Sequence, residues 1–329
     1  MPKVTIALSV YNVVDYVRAS LDCIVNQTMR DIEILCIDDA SSDGTWDVLQ
    51  EYASRDERIK LWRMGKNGGL SVSRNKAIEL ATGDHIIMLD GDDLFAPDMV
   101  ELAYNKAVET GADMVLWDYC VFSDEAELPK IIAMPSSLLN FDADDKIALL
   151  RRPAFTWTKL VKMSVLRDLN IQFTPGLTKQ DIPIHWRLIT SDISVAVLPR
   201  RMSYYRQQPN STTNRRGRSL FSLAKVMDIV GDDLRERGIF NEYRNEYLRS
   251  RLSLLQGMQD FIMPELKSEA LAMIRERYDE EAWAYVNSPE CELTSRVRDF
   301  YGMLDGHLLP RLRYKATLAV RSIYRKLHN

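Results

Sequence analysis

Short-range metal cages and redox pairs are missing from this chain. Its four cysteines, Cys23, Cys36, Cys120 and Cys291, are far apart, and neither a CxxC nor an HExxH spacing occurs. Zinc-cage and dithiol chemistry are thereby excluded, and the cysteines read as buried thiols of a reducing compartment. No P-loop and no GxGxxG is present, so ATP-type and dinucleotide-type sites lack their fingerprints. The formal net charge is −4, and no stretch interleaves dense Arg/Lys with aromatics. Nucleic acid is therefore not an expected partner. No apolar run approaches the roughly 18 residues of a membrane span, and residues 1–10 carry no basic-then-apolar leader, so a cytoplasmic protein is expected.

What is present is enough apolar mass for one large core and a smaller appendage: 329 residues, 46% of them hydrophobic. The first 120 residues alternate short β-rich runs with segments of helical period. The runs are Val4–Leu8, Ile32–Ile37, Ile59–Trp62, His85–Leu89 and Met114–Trp117; the helical segments are Val13–Val25, Thr45–Ala53, Leu70–Leu80 and Met99–Val108. That rhythm predicts an α/β fold with a mostly parallel sheet and helices on both faces. From Leu138 to Arg216, five prolines interrupt the pattern, and this stretch is expected to shape a pocket and add little sheet. Beyond Ser219 the 3.6-residue period returns in Leu220–Arg237, Glu242–Met263, Glu265–Tyr285 and Ser295–Leu304. The expected organisation is an α/β domain over 1–217, with the regular alternation in 1–95 and the less regular pattern in 96–217, then a helical region over 218–329.

In open α/β sheets ligands bind beyond the carboxyl ends of the strands. Here those ends read Ser9-Val10-Tyr11-Asn12, then Asp38-Asp39-Ala40-Ser41-Ser42-Asp43-Gly44, then Asp90-Gly91-Asp92-Asp93. Gly91 permits a tight turn that aims two carboxylates at one point. Mg²⁺ or Mn²⁺ takes one or two protein carboxylates and fills its remaining positions with phosphate and water, so such a turn suits a nucleoside diphosphate. The plain alternative is that Asp92, Asp93 and Asp98 serve turns and helix caps. A dehalogenase-type phosphatase would place Gly-Thr shortly after the acidic pair, where Leu94-Phe95 stands. Tyr11 can stack on a base or simply pack; Asp43 reads as a helix cap. The loop Lys66-Asn67-Gly68-Gly69 lets backbone approach a nucleotide, with Arg74 available to a phosphate or base.

These motifs together resemble the large family two of glycosyltransferases, of GT-A (Rossmann-like) fold and of the bacterial polysaccharide and exopolysaccharide type. The likeness runs through Val10-Tyr11-Asn12, Ile37-Asp38-Asp39, Asn67-Gly68-Gly69 with Arg74-Asn75, and Leu89-Asp90-Gly91-Asp92-Asp93. It continues through Trp157-Thr158-Lys159-Leu160 and Gln180-Asp181 to Tyr205-Arg206 and Asn210-Ser211, covering residues 3–216. The resemblance implies an inverting, Mn²⁺- or Mg²⁺-dependent transfer of a sugar from a nucleotide diphosphate donor, UDP above all, to a saccharide or lipid-linked acceptor in cell-surface polysaccharide or glycolipid synthesis. It implies Asp181 as general base and Asp92, with Asp90, as metal ligands. Ser9, Tyr11, Asn12, Asp39, Asn67, Gly68, Arg74, Asp90 and Gly91 then form the nucleotide site. Two departures stand out: Ser9 replaces the family's usual Pro, and Gln180 its usual Glu before the base. The alternative is an inactive nucleotide-binding scaffold, in which loss of Asp92 or Asp181 would be expected; both are present.

The remaining candidates are open between two roles. Trp157 and Trp186 stack on an acceptor sugar or belong to the core; His185 is a ligand or a hydrogen-bonded core residue; Arg206 meets the diphosphate or a surface carboxylate. Arg311, Arg313, Lys315, Arg321, Arg325 and Lys326 flank an apolar arc of Leu312, Ala316, Ala319, Val320, Ile323 and Leu327. That pattern suits a helix lying on an anionic membrane, which would make the protein peripheral at the inner face of the cell membrane, or a helix docked on the protein.

Overall fold

The computed structural model describes residues 1–208, 216–307 and 309–316. The chain divides into two compact units, Met1–Thr212 and Thr213–Asn329. The expected terminal helix lies mostly outside the described residues; only 309–316 of it is seen as helix. Asn210 and Ser211 also lie outside them.

The first unit follows the predicted alternation closely. β1 (Val4–Val10), α1 (Val14–Val25), β2 (Ile32–Asp38), α2 (Thr45–Ala53), β3 (Ile59–Arg63), α3 (Leu70–Leu80) and β4 (His85–Asp90) come in turn. Then come β5 (Leu94–Phe95), α4 (Met99–Thr110), β6 (Met114–Phe122), α5 (Leu128–Ile132), α6 (Lys146–Leu150), β7 (Lys159–Lys162), α7 (Met163–Asp168), α8 (Asp181–Ile189) and β8 (Val195–Arg206). The strands form one sheet in the order β3-β2-β1-β4-β7-β6-β8-β5. All seven residues of β1 are buried, as a central parallel strand covered on both sides requires, whereas β3 at the edge is largely open.

The sheet is mixed. β1, β2, β3 and β4 are mutually parallel, but β7 enters antiparallel between β4 and β6, and β5 pairs antiparallel with β8. The expectation that residues 138–216 add little sheet is thus corrected: β7 and the long β8 both come from this stretch. Pro199 does not break β8 because it falls at a bulge. Trp117 pairs with Leu198 and Asp118 with Arg201, leaving Pro199, which has no N–H to give, outside the ladder.

The second unit is helical, with α9 (Ser222–Glu236), α10 (Phe240–Phe261), α11 (Lys267–Glu276), α12 (Glu280–Val286) and α13 (Ser295–Leu304). The single helix expected over Glu265–Tyr285 is two, because Asp279 leaves the helical path. Its carboxylate caps α12 by accepting from the Ala282 amide at 2.9 Å and also pairs with Arg251 at 2.8 Å. Among the described residues no helix is long and apolar enough to cross a membrane.

Candidate active site

Strand register brings the predicted acids to one edge. Val10 stands beside Asp38 and Ser9 beside Asp90, so β1, β2 and β4 end at the same level. The turn after β4 is held at both ends, by β4 itself and by the two-residue β5, whose Leu94 and Phe95 pair with Tyr204 and Ser203. The Gly91 amide donates to the Ser9 carbonyl at 3.1 Å. A Cβ on Gly91 would lie 2.5 Å from Val10 Cγ1, so only glycine lets this turn close against β1.

Around that turn most charges are committed. Asp92 Oδ2 accepts from the Gln208 amide at 3.0 Å, and Asp93 Oδ1 accepts from the Arg206 backbone N–H at 2.9 Å. Asp93 Oδ2 is buried without a partner. Burial, then the neighbouring Asp90 charge, pushes the Asp92 carboxyl up to about 6; burial with both neighbours pushes Asp93 well up. Arg74 pairs with Asp90 and Arg206 lies beside Asp92 and Asp93, yet both of the latter carboxyls stay raised; a hard divalent ion on Asp92 and Asp90 would add the charge that lowers them. Among the described residues no three His, Cys, Asp or Glu side chains converge on a metal, so any cation here takes most of its ligands from phosphate and water.

Arg206 does not present its guanidinium to a diphosphate. Its Nε donates to the Asp92 carbonyl at 3.0 Å, its Nη1 pairs with Glu125 at 2.9 Å, and the group stacks over Phe122 and Tyr16. It braces the acidic turn from behind.

Arg74 is corrected similarly. Its side chain is 1% exposed and reaches two carboxylates: Nη2 donates to Asp90 Oδ1 at 3.0 Å, and Nη1 binds Asp181 Oδ1. Both Nη atoms are engaged by these acids, and its Nε is buried without a hydrogen-bond partner. The same contact decides the role of Asp181 in its helix. Asp181 opens α8 but caps nothing, since its carboxylate goes to Arg74, and the N-cap Gln180 makes no side-chain cap bond. Pro183 is tolerated because first-turn amides have no helical acceptor to lose.

The nucleotide loops are pinned to one another. Asp39 is buried, and its two oxygens accept from the Gly68 and Gly69 amides, each at 2.8 Å. It therefore holds the Asn67–Gly69 loop in addition to any base contact. Asn67 Nδ2 reaches the Asp39 carbonyl only at 3.4 Å. Asn12 adopts φ 51°, and its Oδ1 accepts from the Ser42 amide at 2.8 Å, joining the β1 and β2 loops. Asp43 caps, as expected, but across the fold: it accepts from Val14 at the start of α1 at 3.0 Å as well as from Thr45. Tyr11 is exposed, 48% open at the end of β1, as are Asn12 and Asn67. Ser9 is buried within the strand end.

The three acceptor candidates are core residues. Trp157 is 3% exposed and is stacked on Phe155, with ring centres 4.4 Å apart, and on Tyr205. Trp186 is equally buried on α8. His185 Nε2 faces the Leu149 carbonyl at 3.0 Å, and burial pushes the ring's pKa down to about 3, so it is a neutral donor. None of the three rings is exposed to an acceptor sugar. Lys159, to which sequence reasoning attached no role, is fully enclosed beside Asp181. One lysine at the start of an apolar strand carries no signal that it points inward.

With this geometry in view, the comparisons are specific. The fold is that of GT-A glycosyltransferases. Residues 1–349 of TarS from Staphylococcus aureus, in complex with UDP-GlcNAc, superpose with TM-score 0.56 at 17% identity, covering 86% of this chain and 91% of that one. The mannosyltransferase PcManGT of Pyrobaculum calidifontis, in complex with GDP-Man and Mn²⁺, gives 0.57 at 16% identity, covering 99% and 88%. Residues 5–159, just under half of the chain, match the model of glycosyl transferase family 2. The glycosyltransferase GlyA of Streptococcus pneumoniae is 37% identical over 122 residues, which are 37% of this chain and 17% of GlyA.

Proposed function

We propose that this protein transfers a sugar from a nucleoside diphosphate donor to an acceptor hydroxyl by a single in-line displacement with inversion. The observation that carries the reading is the Arg74 bridge, which ties the acid at the end of β4 to the acid that opens α8. This supports a reading in which donor-side and acceptor-side groups act at one place.

The nucleotide would lie over the ends of β1 and β2, its base against the exposed Tyr11 ring and its ribose near the loop that Asp39 holds. Asp92 and Asp90 would hold Mn²⁺ or Mg²⁺, which supplies the charge that neutralises the departing diphosphate. Asp181 takes the proton of the attacking hydroxyl. Burial raises its affinity for a proton, and the neighbouring Arg74 and Lys159 charges oppose that rise. One carboxylate for the proton and one metal turn for the leaving group suffice for inversion, since no enzyme nucleophile is required. The acceptor class that suits the family is a saccharide or lipid-linked saccharide of the cell surface.

The test is calorimetric titration of UDP, GDP, CDP and dTDP into the protein, each with and without Mn²⁺. Tight binding of one nucleotide that disappears on chelation is the expected result. Binding of none would remove the donor site and leave an inactive scaffold.

A further inference from the structure

Behind Asp181 lies a cavity of about 20 Å³, bounded by β4, β7, α7 and α8. Its wall is mostly apolar, with Met88, Val161 and Ile184 among its residues, but four polar side chains also line it: Thr156, Lys159, Asp181 and His185. Two of them have a buried atom without a partner, Thr156 Oγ1 and His185 Nδ1. Buried polar atoms left without a partner are costly, and buried water with two to four partners is the usual remedy. A volume of about 20 Å³ is enough for one ordered water.

The hydrogen-bond roles of the wall are complementary to a single water. His185 Nε2 lies 3.0 Å from the Leu149 carbonyl, which can only accept, so Nε2 carries the proton and Nδ1 presents a lone pair. A water can donate one hydrogen to His185 Nδ1 and the other to the Asp181 carboxylate. Its own lone pairs can accept from the Thr156 hydroxyl and the Lys159 ammonium. Lys159 Nζ already donates to the Phe155 carbonyl, which anchors the ammonium and leaves two further hydrogens.

Resting on the reading of Asp181 as the general base, we propose that Lys159 is a positioning residue for that carboxylate and acts through one ordered water held in this cavity. Arg74 grips Asp181 from the donor side; the water and Lys159 hold it from the acceptor side, so the carboxylate keeps one rotamer and keeps its charge. The charged groups around Lys159 are Asp181 on α8, Arg74 on α3 and Arg152 after α6, with neutral His185 beside them. Burial lowers the Lys159 pKa to about 7, with Asp181 opposing and the two arginines assisting, so its grip on Asp181 weakens as pH rises past neutrality.

The test reads the carboxylate itself and needs no sugar substrate. In protein labelled with ¹³C at aspartate side chains, the Asp181 resonance is assigned with Asp181→Asn and followed with pH. In Lys159→Met the Asp181 pKa is expected to rise by about one unit, because a flanking cation is lost. In Thr156→Val, which keeps the ammonium and the side-chain volume but removes a partner of the water, a smaller rise is expected. A high-resolution crystal structure of the wild type should show one water in contact with Thr156 Oγ1 and His185 Nδ1. An Asp181 titration unchanged in both variants, or a dry cavity, overturns the proposal. Failure of the base assignment reads differently: transfer would survive Asp181→Asn while the shifts described above remained.

Discussion

Arg74 Nη2 lies 3.0 Å from Asp90 Oδ1 while Nη1 of the same guanidinium holds Asp181, so one almost fully buried cation serves two acids 91 positions apart (181 − 90). The planar fork of arginine allows this; the point charge of lysine does not.

Removal of that fork tests both stability and site. Arg74→Met should destabilise the protein by about 3 kcal/mol, because it leaves two largely desolvated carboxylates without a counter-charge. Arg74→Lys should recover part of the stability and little of the activity. Denaturant unfolding beside an activity assay would separate the two; an Arg74→Met protein as stable as the parent would show that the bridge carries no net stabilisation.

The two acids should fail differently. Asp92→Asn is expected to abolish Mn²⁺-dependent nucleotide binding, seen by calorimetry. Asp181→Asn should bind nucleotide normally and lose transfer by about 10²–10⁴-fold, the range of general base catalysis. Full transfer in Asp181→Asn would remove Asp181 from the mechanism.

Gly91→Ala places a methyl against Val10, and the misfit should cost about 1–3 kcal/mol. Val10→Ala opens room for that methyl, so in the double variant the two effects should not add. Additive losses in chemical denaturation would mean that the turn relaxes elsewhere.

The pH dependence of stability has a marked contributor in His185. Its folded pKa of about 3 lies below the ordinary 6.5, so below pH 6.5 the unfolded chain takes up a proton that the folded chain refuses. The stability it contributes is complete above 6.5 and is lost as pH falls toward 3, with a slope of about 1.4 kcal/mol per pH unit. His185→Gln can still donate to Leu149 and cannot titrate; its unfolding free energy should fall less steeply between pH 6.5 and 5. Equal slopes in the two proteins would show that His185 takes up its proton in the folded state.

Much of this was legible in order of residues alone. Apolar runs of period two and helical segments of period 3.6 placed β1 to β4 and α1 to α4 within a few residues, because these elements are local and their burial follows from neighbours in sequence. The acids at strand ends were visible for the same reason, since a parallel α/β sheet sends those ends to one edge whatever the side chains are. The match to the model of glycosyl transferase family 2, too, is written in linear motifs.

Tertiary structure alone decided which polar groups remain free. Arg74, Arg206, Trp157, Trp186 and His185 all carry chemistry suited to a ligand, and the fold commits each to a partner or to the core. Tyr11 keeps its exposure because its strand ends there. Lys159 is enclosed beside Asp181 of α8, and Pro199 falls at a bulge of β8 opposite β6, each placed by residues distant in sequence. Those outcomes depend on pairings between residues many positions apart, and burial is a property of such pairings, which no single position in a sequence records.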